Sequence, residues 1–260
     1  MAEGVNPAFD ATLLSRVEDA CLNASAPPQQ LWLDGWLVRF SPGKARRARS
    51  VNAVASGRLP LAARLKASAA VFRDAGLPMV VRITPFSQPS TLEADLSALG
   101  WGTEGETTVK VLADLAAVPA LPLPPGITVE RLASAEYAGL VGRWRGSDPQ
   151  AIAAHEERLR ASPVPYEGCV LKQRGRPLAC GQFAREGDLV GLYDVFTAEA
   201  ARGHGLARLL CAELLQRARG QGARTGYLQV ESDNAPARAV YRRLGFVAAY
   251  GYCYRTPPAA

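Results

Sequence analysis

Histidine and methionine are scarce in this chain of 260 residues, two of each, and lysine occurs only at Lys44, Lys66, Lys110 and Lys172. With only His155 and His204, and with Cys21, Cys169, Cys180, Cys211 and Cys253 forming no CxxC pair, the ligands for a structural zinc site are missing. No metal is therefore expected. Five widely spaced cysteines, an odd number, argue against a disulfide framework and for packed, reduced thiols in a cytosol. No apolar run approaches the ~18–20 residues of a membrane span. The first ten residues lack the basic start and apolar core of a signal peptide. The expectation is a cytoplasmic protein with no membrane partner. A 48% hydrophobic and 21% charged composition excludes wholesale disorder, and the length suits one large domain or two small ones.

Acidic residues are the minority, 24 against 30 basic, for a net charge of +6. The one dense basic run is Lys44-Ala-Arg46-Arg47-Ala-Arg49. Without interleaved aromatics it reads as a solvated hairpin or an acidic-ligand site, which argues against a nucleic-acid partner.

Proline marks the middle of the chain. Residues 119–126, with Pro119, Pro122, Pro124 and Pro125, have neither periodicity nor charge and read as a semi-rigid linker. They divide the chain into residues 1–118 and 127–260, each of small-domain size. In the second half, Ile127–Leu132 reads as a strand, and helical stretches follow around 135–144 and 149–159. A hairpin follows over 167–185, then a strand at Leu189–Thr197. The helix after it runs to about Arg219, with Leu206, Leu210, Leu214 and Ala218 recurring every four residues. Tyr227–Glu231 is a buried strand, and Asn234 or Asp233 caps a short helix whose inner face is Ala237, Val240, Tyr241 and Leu244. Residues 246–255 are expected to supply a last pair of strands. The first half repeats this plan at a constant offset of 145 positions. Leu61–Asp74 falls under Leu206–Arg219, Val80–Thr84 under Thr225–Gln229, and Leu99-Gly100-Trp101 under Leu244-Gly245-Phe246.

The informative segment is Asp194 to Ala207, where a strand enters a glycine-containing turn that opens a helix. The N-terminus of a helix leaves backbone N–H groups unpaired, with a partial positive charge behind them. Gly203 and Gly205 let that backbone approach a phosphate or pyrophosphate closely. A dinucleotide fingerprint is excluded, because the position of its third glycine is Arg208. A P-loop is excluded because Gly-Lys-Ser/Thr is absent.

Arg202-x-x-Gly205-x-Ala207, following Val195-Phe196-Thr197, resembles the (Q/R)-x-x-G-x-(G/A) signature of the GNAT superfamily of acyl-CoA N-acyltransferases. Asn234-x-x-Ala237-x-x-x-Tyr241-x-x-x-Gly245-Phe246 is similar to that superfamily's second hallmark. The resemblance covers residues 188–250. It implies an α/β fold of two tandem GNAT-like domains, each a mixed, mostly antiparallel sheet flanked by helices. In the N-terminal copy Gly57, Pro60 and Leu96 stand where the other has Arg202, Gly205 and Tyr241. Pro60 removes a donor N–H, so that copy is expected to be degenerate, a substrate or scaffold domain.

The implied reaction is transfer of an acetyl group from acetyl-CoA to a primary amine of a small molecule, amino acid or peptide. The pyrophosphate would rest on the amides of Arg202, Gly203, His204, Gly205, Leu206 and Ala207, with pantetheine along Val195, Phe196 and Thr197. Asn234 would either cap its helix or bond the cofactor. Tyr241 would return a proton to the CoA sulfur, and Asp194 is the chosen general base, with Glu231 and Tyr193 as alternatives. Trp32, Trp36 and the basic run 44–49 are candidates for the far wall of the acceptor pocket. Tyr250, Tyr252 and Tyr254, alternating on one strand face, are candidates for its lining. The rival reading is a non-catalytic acyl-CoA-binding sensor or scaffold. A monomer and a homodimer are equally compatible with the sequence.

Overall fold

The computed structural model describes residues 4–258. Its N-terminal half runs α1 (Ala11–Ala24), β1 (Gln30–Leu33), β2 (Trp36–Arg39), β3 (Val51–Asn52), α2 (Leu61–Asp74), β4 (Val81–Ile83), α3 (Leu92–Ala98) and β5 (Gly102–Leu112). The second half runs β6 (Ile127–Leu132), α4 (Ser134–Trp144), α5 (Pro149–Ala161), β7 (Tyr166–Gln173), β8 (Arg176–Glu186) and β9 (Leu189–Thr197). It ends with α6 (Leu206–Gly220), β10 (Thr225–Glu231), α7 (Ala235–Arg243) and β11 (Val247–Thr256).

The sheet is mixed, mostly antiparallel and flanked by helices, as expected. Its parallel pairs are β3–β4 in one half and β9–β10 in the other, so the repeat extends from sequence offset to strand pairing. The two sheets are joined, however, into one of eleven strands, ordered β1-β2-β3-β4-β11-β5-β10-β9-β8-β7-β6. The joint is an exchange. β5, from the first half, pairs with β10 and β11 of the second, while β11 pairs with β4 of the first. Residues 247–256 form one strand with two register shifts rather than the expected pair of strands. β11 runs along β5 from Val247 to Thr256 and takes β4 as a second neighbour over Cys253–Arg255, so its pairing is met without a second strand from the same segment.

Side-chain alternation gives this sheet two buried faces. Leu192 and Leu228 face α6, whose Leu206, Leu210, Leu214 and Ala218 stripe is buried against them. Their neighbours Tyr193 and Tyr227 face α1, which belongs to the first half. All five cysteines are buried and unpaired.

One polar cluster fastens the exchanged strand. Arg82 on β4, 1% exposed, donates to both carboxylate oxygens of Glu18 on α1. Tyr250 on β11 donates its hydroxyl to Glu18 Oε2 at 2.7 Å, and the Arg82 guanidinium lies 4.0 Å from the centre of the Tyr252 ring. Removing one partner from a buried pair strands the other charge without water. Arg82→Leu is therefore expected to destabilise the whole chain by about 3–5 kcal/mol in urea denaturation. A loss below about 1 kcal/mol would contradict the role given to this cluster.

Candidate active site

β9 and β10 pair in parallel only as far as Leu192 and Leu228. β9 runs on to Thr197 and β10 to Glu231, so the two strands separate. β10 keeps its other partner, β5, to the end, with Glu231 opposite Thr107. From Tyr193 to Thr197 the β10-facing edge of β9 therefore has no strand beside it. This is the stretch containing Val195, Phe196 and Thr197.

A cleft of about 900 Å³ opens at the separation. Its walls come from both halves of the chain: the 43–47 segment and Gly105–Thr107 from the first, α4, α5, Tyr193–Val195 and 229–234 from the second. Tyr252 and Tyr254 on the exchanged strand line it, whereas Tyr250 is committed to Glu18. Of the proposed far wall, Lys44, Ala45, Arg46 and Arg47 are present. Trp36 is fully buried beneath Arg64 and Trp32 is an exposed residue of β1, so neither tryptophan lines the cleft.

The glycine loop follows β9 and contributes none of the residues that line this cleft. Gly203 and Gly205 have φ of +80° and +73°, and a Cβ at either would meet nothing within 4 Å, so the backbone faces open space. Left-handed Gly205 is the N-cap of α6. No backbone acceptor engages the N–H groups of Gly203, His204, Gly205, Leu206, Ala207 or Arg208. The amide of Arg202 is different: it donates to Glu199 O at 3.2 Å, which removes it from the expected set of anion donors. The Arg202 side chain packs over Phe196, and His204 Nδ1 lies 2.8 Å from Arg202 O.

The matching loop of the first half is closed by its own carboxylate. Asp34 accepts from the backbone N–H groups of Arg58 at 2.9 Å and Leu59 at 2.8 Å, just ahead of α2 and its cap Pro60. A Cβ at Gly57 would lie 2.1 Å from Asp34 Oδ2, so glycine is needed for the carboxylate to sit there. These two amide bonds lower the pKa of Asp34. An internal anion thus occupies the place where the second half offers bare amides.

Tyr241 is on α7, whose N-cap Asn234 accepts from the Ala237 N–H at 3.1 Å. Asn234 is thus a cap here. Tyr241 lines the cleft, packs edge-on against Phe246, and its hydroxyl has no hydrogen-bond partner among the described residues. Burial, aided by the nearby Cys211, pushes its pKa up, so it holds its proton.

Asp194 also lines the cleft, at a β-bulge where β9 carries an extra residue against β8. Its φ of +49° turns the side chain into a cluster of donors. Arg145 donates to Oδ1 at 2.9 Å and Gln182 to Oδ2 at 2.8 Å. His155 Nε2 is 3.2 Å and Arg158 3.9 Å from Oδ2. Burial alone would raise its pKa, but His155, Arg145 and Arg158 outweigh it and hold the carboxyl well below its usual range. His155 is the residue that sequence reasoning missed. It is 39 positions from Asp194, and no local motif announces the contact.

Among the described residues no helix is long and apolar enough to cross a membrane, and no cluster of three His, Cys, Asp or Glu could hold a metal. Residues 131–246 match the model of the acetyltransferase (GNAT) family. A mycothiol acetyltransferase of Streptomyces bingchenggensis (strain BCW-1) is 31% identical over 143 residues, 50% of this chain and 46% of that protein. Another, from Corynebacterium glutamicum (strain R), is 44% identical over 141 residues, 48% of each. The matched part of this chain spans about half the length of these curated relatives. Among solved structures, a GCN5-related N-acetyltransferase from Kribbella flavida superposes with a TM-score of 0.69 at 17% identity, covering 95% of this chain and 96% of that one. A tandem GNAT protein from the clavulanic acid biosynthesis pathway gives 0.61 at 17% identity, covering 76% and 70%. These structural likenesses establish the fold.

The Asp194 cluster has a pH signature. Its folded pKa lies below the unfolded value of about 3.9, so its pairing stabilises the fold above that pH and is lost as pH falls further. Wild type is expected to lose more stability than Asp194→Asn on acidification from about pH 5 to about pH 3. Superimposable melting profiles would contradict this assignment.

Proposed function

We propose, from the match of residues 131–246 to the GNAT acetyltransferase family, that the chain transfers an acetyl group from acetyl-CoA directly to a primary amine held in the cleft. The observation that carries this reading is the pairing of two features along one strand: an unpaired edge at Val195–Thr197 leads to six free backbone amides at Gly203–Arg208. The first suits an extended amide-containing arm, and the second a pyrophosphate at the N-terminus of α6. Residues 127–260 form the catalytic unit, and residues 1–118 supply a wall of the acceptor cleft. The five buried, unpaired cysteines fit a reducing cytoplasmic setting.

Acetyl-CoA supplies a thioester carbonyl carbon. The neutral amine nitrogen bonds to that carbon, the carbon–sulfur bond breaks, and the sulfur leaves with the electron pair. Tyr241 gives its hydroxyl proton to the departing sulfur, because it lines the cleft and its hydroxyl has no other hydrogen-bond partner among the described residues. The amine proton must go to a base. The sequence points to Asp194 for that role, but a carboxylate this strongly stabilised is a weak proton acceptor. Its place beside His155 suits it instead to orienting the imidazole ring. His155, which also lines the cleft, accepts the proton.

Purified protein is expected to release free thiol from acetyl-CoA in the presence of suitable primary amines. Tyr241→Phe is expected to lower kcat by about 10²-fold with the KM for acetyl-CoA little changed. An unchanged kcat would remove Tyr241 from the mechanism.

A further inference from the structure

Arg47 stands apart from the other arginines of the cleft, and Lys44 beside it is exposed to solvent. Arg46 faces Glu104 at 3.3 Å, and Arg145 and Arg158 share Asp194. Arg47 has no carboxylate within 4 Å among the described residues. Its Nε donates to Ser25 Oγ at 3.2 Å and one terminal nitrogen to the Tyr252 hydroxyl at 3.0 Å, and the guanidinium lies 6.0 Å from the centre of the Tyr193 ring. Neutral groups thus hold the guanidinium at the cleft wall and leave its charge uncompensated. Tyr193 packs against Tyr166 with ring centres 5.5 Å apart. Arg158 from α5 also borders the cleft. Two guanidiniums, one from each half of the chain, therefore border the same cavity beside this tyrosine pair. Of the two, only Arg158 has an internal carboxylate near it, Asp194, which Arg145 also uses.

A partly buried guanidinium without a counter-ion is costly unless the ligand brings one. Its planar donor fork matches a carboxylate, and one uncompensated charge matches a monoanion. The cleft also has carboxylates of its own, Glu231 and Asp233, where β10 ends. We propose that the acceptor is an amine that also carries a carboxylate, with that carboxylate bound by Arg47 and the amine lying towards the end of β10. This rests on the acetyl-transfer reading and narrows its substrate class, giving the non-catalytic half of the chain a direct part in specificity.

The test uses the full chain and matched acceptors: free α- and ω-amino acids against the corresponding carboxamides, assayed by thiol release from acetyl-CoA. The best amino acid is expected to exceed its carboxamide in kcat/KM by about tenfold or more. Arg47→Gln is expected to reduce that ratio to below about three, and Arg47→Lys to retain part of it. Thermal melts identify any variant that fails to fold, in which case the wild-type ratio and the Lys variant decide the matter. Carboxamides accepted as well as the acids, or a ratio unchanged in both variants, overturns the proposal. Acetyl-CoA binding with no amino acid accepted also overturns it while leaving acetyl transfer standing. Failure of the protein to bind acetyl-CoA at all instead defeats the underlying reading.

Discussion

Strand 102–112 lies between two strands of the other half, and the cleft depends on that insertion. β5 holds β10 from Gly226 to its end at Glu231, so β10 stays in the sheet where β9 leaves it. The gap is therefore an opening at one seam rather than a frayed sheet end. The same exchange brings Gly105–Thr107 to the cleft wall and places β11, with Tyr252 and Tyr254, between β4 and β5. The Glu18–Arg82–Tyr250 cluster fastens α1, β4 and β11 at one point. The two halves are repeats in sequence but share one sheet and one cleft.

The repeats also show how a helix N-terminus can be used in two ways. Both loops precede a helix at equivalent positions, and both present backbone N–H groups that need an anion or water. In the second half the two glycines leave those groups facing open space. In the first, Asp34 reaches the loop, Gly57 makes room for it, and Pro60 contributes no donor. An internal carboxylate closes the first loop, where the second stays open, without changing the fold around it.

What is legible in the sequence is local. Helix α6 follows from its four-residue leucine stripe, the turn before it from Gly203 and Gly205, and the cap of α7 from Asn234. The repeat itself is readable because a constant offset survives where residue identities do not. The exchange of β5 and β11 is not readable. Both are alternating strands after a short helix, and nothing within either records which half it will pair with. The contact of His155 with Asp194, and that of Asp34 with the loop at 58–59, are invisible for a related reason. Each joins residues 24 or more positions apart that carry no motif. The environment of Asp194 is unreadable for the same cause, since Arg145 reaches it from the turn after α4 and His155 and Arg158 from α5.

Everything proposed for the cleft requires that only one of the two repeated loops holds the acyl donor. Isothermal titration of the full chain with acetyl-CoA tests this most directly, with Gly203→Asp as the companion variant. That position tolerates a positive φ better in aspartate than in most residues, and the added carboxylate would project into the space left for the pyrophosphate. One site per chain is expected, weakened by about tenfold or more in the variant. Two sites per chain, or binding indifferent to the added charge, would contradict it.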